Sequence, residues 1–149
     1  ESAEEEFIKE ESISRLSSDL YVEWGYSRFK NCFEQGGIAN VKKRRDEIIE
    51  IYEKGLEINP GNVLLLDNLG NLYVLLGIKT EALRYFERAF QISQEQEMKI
   101  LVKIIDLRIQ TAGYKDAVRL LERYKEDLTP EELERFRTAL KSKGVNIEF

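Results

Sequence analysis

A chain of 149 residues, 42% hydrophobic and 34% charged, has the composition of one globular domain long enough to bury a core. It holds no histidine and a single cysteine, Cys32. That excludes His/Cys zinc sites, Ser-His-Asp and Cys-His nucleophile pairs, and an internal disulfide. The net charge of −5 lies in the lead: residues 1–11 carry six acids and one lysine, and the remainder balances. A balanced body has no broad positive field, so no nucleic-acid partner is expected. No run approaches the roughly 18–20 apolar residues of a membrane span. The composition is expected for a cytoplasmic or otherwise soluble segment, and because the first residue is Glu1 rather than Met the chain reads as processed or excised.

Residues 1–17 read as an acidic lead-in, frayed or helical, because Glu at a helix start complements the dipole. From about Ser12, Ile13, Leu16, Leu20, Trp24, Phe29 and Phe33 fall at helical spacing until "GGI" at 36–38 stops the helix. Asn40 is a candidate cap for a second helix, Val41 to Ile58. "NPGN" at 59–62 is a stop followed by a new start. The third helix spans Val63 to Leu76 and ends at Gly77. Thr80 is placed to cap the fourth, whose inner stripe is Ala82, Leu83, Phe86, Ala89 and Phe90. "SQEQ" at 93–96 has the form of a capping box for a fifth helix that runs to Gly113. A sixth covers Tyr114 to Asp127. "TPEE" at 129–132 joins a Thr cap, Pro at the first helical position and Glu at the third, and Gly144 closes this seventh helix. Leu133, Phe136 and Leu140 form its apolar stripe. The apolar "VNIEF" tail either folds back or meets another copy. No segment alternates as a strand would.

The chain resembles itself. Ala82 and Ala117 lie 35 residues apart, each just after a glycine turn. "EALRYFERAF" matches "DAVRLLERYK", and "DEIIEIYEKGL" upstream has the same form. Three helical hairpins follow, within 18–128, and 129–149 remain as a terminal helix and tail. The middle hairpin carries Leu66, Leu69-Gly70, Tyr73, Ala82, Phe86 and Ala89, and "YEKGLEINPGN" precedes it. On these residues the chain resembles the tetratricopeptide repeat family. The outer hairpins are degenerate: the first keeps Trp24-Gly25 and Tyr52 but has a long "GGIANVKKRRDE" joint, and the third has Ile104 or Ile105 where the middle has Gly70. The resemblance implies an all-α, right-handed solenoid of hairpins with a C-terminal capping helix. It also explains a glycine inside an apolar helix, which costs about 0.5–1 kcal/mol against alanine. Gly70 is expected where two helices cross closely, with Ala82 and Ala89 small for the same reason.

In such arrays the first helix of each hairpin lines a concave face that holds a peptide or a helix. The groove stripe expected here is Val22, Tyr26 and Phe29 on the first helix. On the third it is Asp67, Asn68, Asn71 and Val74, and on the fifth Lys99, Lys103, Asp106 and Gln110. Family members that bind chaperone C-termini grip the terminal carboxylate with Lys, Asn and Arg. Asn68, Lys99 and Lys103 look like the later part of that clamp, but Val22 and Tyr26 stand where its first Lys and Asn belong. The four bases of "VKKRRDE" are followed at once by acids and lack interleaved aromatics, so they read as a solvated surface. Cys32 lies on the apolar side of its helix as a buried thiol. No phosphate-binding glycine loop occurs, and the carboxylate pairs fall in first turns or on polar faces. The expectation is a non-catalytic protein-interaction module without metal or cofactor. Self-association through end helices, or service as a regulatory segment of a larger protein, are the alternatives.

Overall fold

The structure, a computed structural model, describes residues 2–149 apart from the side chains at 4, 7, 8 and 11; Glu1 of the acidic lead lies outside the described residues. Seven helices follow in order: α1 (Ala3–Lys43), α2 (Arg45–Ile58), α3 (Val63–Leu76), α4 (Lys79–Ile92), α5 (Met98–Gln110), α6 (Tyr114–Tyr124) and α7 (Pro130–Lys141). No strand occurs among the described residues. They pack as hairpins α1/α2, α3/α4 and α5/α6, with α7 against α5, so the chain is an all-α stack of helical hairpins.

Several helix ends differ from the sequence expectation, each for a local reason. The first helix begins at Ala3, well ahead of Ser12, because Ser2 and Glu5 form a capping box that satisfies its free amides. Gly36 and Gly37 do break it, with Gly37 at φ 66°, but helical geometry resumes at once and runs to Lys43. The long joint expected after the first helix is therefore largely helical and turns into α2 at Arg44. Asn40 does not cap α2: its amide donates to the Cys32 carbonyl at 2.7 Å, beside the glycine break. Thr80 sits inside α4, whose N-cap is Ile78. Ser93 closes α4 rather than opening α5, and its hydroxyl donates to the Phe90 carbonyl at 2.8 Å. The α6 helix stops at Tyr124. The Thr129–Glu132 capping box and Pro130 at the start of α7 are present.

Four helices end in the same double hydrogen bond, in which a left-handed residue donates three back and its successor donates five back. Gly77 donates to Val74 and Ile78 to Tyr73; 35 residues on, Ala112 donates to Ile109 and Gly113 to Arg108. Gln94 and Gly144 occupy the same position at the ends of α4 and α7. Glycine takes this left-handed backbone without penalty at Gly77, whereas Ala112 holds it at φ 61° with a side chain.

The core has two parts that share α3. Leu65, Leu69 and Leu72 pack with Cys32, Val41, Ile48 and Tyr52 of the first hairpin. Leu66 faces the other way, into a cluster running through Phe86 and Ala89 to Leu101, Ile105, Ala117, Leu121, Phe136 and Leu140. The joint between the first two hairpins is a buried polar knot. The Ser18 hydroxyl donates to the Gly55 carbonyl (2.9 Å), and the Asn62 amide donates to Ser18 (2.9 Å) and to Asp19 (2.8 Å). The Asn62 side-chain oxygen accepts from Leu65 and caps α3. The tail folds back: Val145, Ile147 and Phe149 pack on the larger cluster, Arg137 donates to the Phe149 carbonyl, and Lys125 lies 5.4 Å from the Phe149 ring centre.

Close helix crossing depends on glycine. A Cβ at Gly70 would meet the Phe86 ring at 2.4 Å, and one at Gly25 would meet the Tyr52 ring at 2.2 Å. The third hairpin solves the same contact differently. Its equivalent positions are Ile105 and Leu121, both fully buried, so bulk moves from the second helix to the first.

Gly70→Leu should therefore lower stability by about 3 kcal/mol, the upper part of the range for overpacked cores. Thermal melting reads it directly, and an unchanged midpoint would show that Phe86 does not press on position 70. Ala112→Gly should act in the opposite sense. Relief of the left-handed alanine outweighs the added chain entropy by about 0.5–1 kcal/mol, a rise of roughly 2 °C in melting temperature.

Candidate partner-binding groove

The first helices of the three hairpins, α1, α3 and α5, border one face of the molecule. Two recesses lie along it. The first, about 200 Å³, is lined by Tyr26 and Phe29 of α1, Tyr52 of α2, and Asn68, Asn71, Leu72 and Leu75 of α3. The second, about 180 Å³, is lined by Asn71, Val74, Phe86, Lys103, Asp106, Leu107 and Gln110. Asn71 borders both, so the two recesses adjoin along a shallow trough. Helical spacing accounts for this: Asn68, Asn71 and Leu75 lie three and four apart on α3, and Lys103, Leu107 and Gln110 do the same on α5.

Of the residues singled out from sequence, Tyr26, Phe29, Asn68 and Asn71 meet in the first recess, and Asn71 and Lys103 in the second. Tyr26 is 55% exposed, while Phe29 is half-buried beneath it, their ring centres 6.3 Å apart. Val22 is packed against the first core cluster. Lys99 is exposed and lines neither recess. Asp67 and Lys103 face each other, the ammonium donating to the carboxylate at 2.8 Å with both half-buried. Lys103 also lies 5.3 Å from the Phe86 ring centre. Its charge is thus matched within the chain, which leaves the resemblance to a carboxylate clamp incomplete on α5 as well as on α1. Asp106 is likewise engaged, by Arg135 of α7 at 2.9 Å.

Sequence reasoning named Tyr52 as a repeat-pattern residue and did not assign it to the groove. It serves both core and groove: 3% exposed, yet forming part of the recess floor. Its position opposite Gly25 was the available signal, since a ring lodged against a glycine must project past the first helix. Leu72, Leu75, Phe86 and Leu107 complete the apolar floor. Among the described residues, no group of three or more Asp, Glu, Cys or His side chains gathers as a metal site would require.

Burial pushes the Tyr52 hydroxyl up to about 12, with the nearby Tyr26 adding to the rise and a hydrogen bond with Asn68 opposing it. The neutral phenol is therefore favoured by the fold. Its stabilising contribution is complete below pH 10 and is lost as pH rises from 10 to 12. Tyrosinate absorbance should show a late-ionising fraction as pH rises, because Tyr73 and Tyr124 are raised by burial as well, and Tyr52→Phe should remove its latest step. A full set of tyrosines titrating together near pH 10 would contradict the placement of Tyr52.

Residues 65–96, which span α3, α4 and the turn after them, match the family model of the tetratricopeptide repeat. No curated protein matches the chain at a significant level. No helix among the described residues is long and apolar enough to cross a membrane. The matched segment contains Leu66, Leu69-Gly70, Tyr73, Ala82, Phe86 and Ala89, and within it Gly70 and Phe86 make the close helix crossing. Residues 65–96 are accordingly a tetratricopeptide repeat, set in a chain of all-α helical hairpins.

Proposed function

We propose that this chain is a non-catalytic interaction module that holds a partner peptide or helix in the trough along α1, α3 and α5, with Tyr26, Phe29, Asn68 and Asn71 as its main contacts and Asp67, Lys103, Val22 and Lys99 at its margins. The observation that carries this reading is the trough itself: an aromatic and aliphatic floor under exposed amide and phenol groups, bordered by the first helices of three successive hairpins. Apolar floors supply the affinity of such grooves, and a few polar groups fix orientation. The pairing of Lys103 with Asp67 favours an uncharged stretch of partner with apolar anchors over a terminal carboxylate. A carboxylate would have to displace a partner the lysine already has.

Peptides selected by display against the 149-residue chain should carry an aromatic or branched apolar anchor. Tyr26→Ala and Asn71→Ala should each weaken them by about tenfold or more. Lys115→Ala, on the exposed surface of α6, should leave binding unchanged. Peptides indifferent to both groove substitutions would place the binding surface elsewhere.

A further inference from the structure

The apolar tail after α7 is seated in a site of its own. Gly144 turns the chain at φ 80°, and the Val145 amide donates to the Leu140 carbonyl. From there the residues alternate as an extended segment does. Val145, Ile147 and Phe149 are half-buried against the larger core cluster, and Asn146 and Glu148 are exposed. Two cations hold the aromatic end. Arg137 of α7, itself paired with Glu134, donates to the Phe149 main-chain carbonyl. The Lys125 ammonium, at the end of α6, lies 5.4 Å from the Phe149 ring centre.

Repeat equivalence shows what such a site is built for. Leu140 lies 35 residues after Ile105, which lies 35 after Gly70. On α3 the second helix of the hairpin covers that position through Phe86. On α5 the second helix is α6, whose Leu121 corresponds to Phe86. A second helix also touches the second helix before it: Phe90 of α4 and Tyr124 of α6 meet edge to face, ring centres 5.5 Å apart. The tail makes both kinds of contact, with α7 at Arg137 and Leu140 and with the end of α6 at Lys125. It does so with five residues and no helix, where α4 and α6 bring 14 and 11 residues. The fit is correspondingly looser. Phe86, Ala89 and Leu121 are fully buried, whereas Val145, Ile147 and Phe149 are each partly exposed. A place that elsewhere takes a helix is held here by a short strap.

We infer that the site between α7 and the end of α6 is a second peptide-binding site, which takes an extended segment of the form apolar–x–apolar–x–aromatic, and that residues 145–149 keep it closed as a built-in ligand. Alternate side chains supply the affinity. Lys125 selects an aromatic ring at the last position, and Arg137 reads the main-chain carbonyl beside it, a contact that a segment of another protein can repeat. The tether holds the tail at an effective concentration on the order of millimolar. A partner therefore enters when it outcompetes the tail or when the tail is released. The site uses neither Tyr26 nor Asn71 and stands apart from the trough.

The probe is a fluorescein-labelled peptide of residues 143–149, KGVNIEF, read by fluorescence polarisation against the 149-residue chain. Ile147→Asp combined with Phe149→Asp releases the tail, and the peptide should bind this variant about tenfold or more tightly than it binds the unsubstituted chain. The same peptide with alanine in place of its phenylalanine should not bind. Arg137→Ala added to the released variant should weaken binding by about fivefold, and Tyr26→Ala should leave it unchanged. Melting curves establish that each variant is folded. Should the double substitution melt at the assay temperature, Phe149→Ala alone takes its place and must show a gain in the same direction. A folded, released variant that binds the peptide no better than the unsubstituted chain would overturn the proposal, as would binding indifferent to Arg137→Ala. Binding lost in Tyr26→Ala would put the peptide in the trough and overturn it equally.

Discussion

The contact between Gly70 and the Phe86 ring sets the distance at which α3 and α4 cross, and much of the molecule follows from that distance. With no side chain at Gly70, the ring of Phe86 lies directly against the α3 backbone and reaches the floor of the second recess. Gly25 and Tyr52 repeat the arrangement in the first hairpin, and Tyr52 emerges in the floor of the first recess. Each glycine carries a helix-propensity cost of about 0.5–1 kcal/mol, which the burial of a whole aromatic ring exceeds. The same glycine–aromatic pairs thus hold the hairpins together and pave the trough.

Hairpins must also be held to one another, and here polar groups do what apolar packing cannot. Asn62 caps α3 while its amide reaches back to Ser18 and Asp19 of α1. Ser18 in turn donates to the Gly55 carbonyl at the end of α2. Every buried polar atom in this joint has a partner, so the knot fixes one relative placement of the two hairpins without an unsatisfied donor or acceptor. Further along the chain, Arg135–Asp106 ties α7 to α5, and Arg108 pairs with Glu87 and Asp116 across α4, α5 and α6. These ion pairs are partly exposed and individually weak, but they leave the face along α3 and α5 with little free charge.

The α1 helix is consequently asymmetric around its axis. One side, with Ser18, Gly25 and Cys32, is sealed into the first hairpin. A second, with Tyr26 and Phe29, borders the trough, and a third carries the Ile13–Trp24 stripe into solvent. A helix this amphipathic on more than one side has more apolar surface than its own hairpin can cover, and its length of 41 residues extends that surface beyond the end of α2.

The sequence by itself determined what depends on neighbours along the chain. The helices, the turns at Gly77 and Gly144, the Thr129 cap and the hairpin register around Gly70 were legible because 3.6-residue periodicity and left-handed turn chemistry are local. Placing Tyr26, Asn68 and Asn71 on one face required that periodicity together with the hairpin stacking that the family resemblance implied. Tertiary structure decided what depends on residues distant in the chain. Asn40 and Ser93 look like N-caps, yet serve the ends of preceding helices, because several backbone partners lay within reach and packing chose among them. The neutralisation of Lys103 by Asp67, 36 residues away, is invisible until α3 and α5 stand side by side. Whether an apolar stripe is core or open surface is equally undecidable from pattern alone: Leu65 and Leu20 occupy equivalent positions, and only the presence of a hairpin in front of one of them buries it.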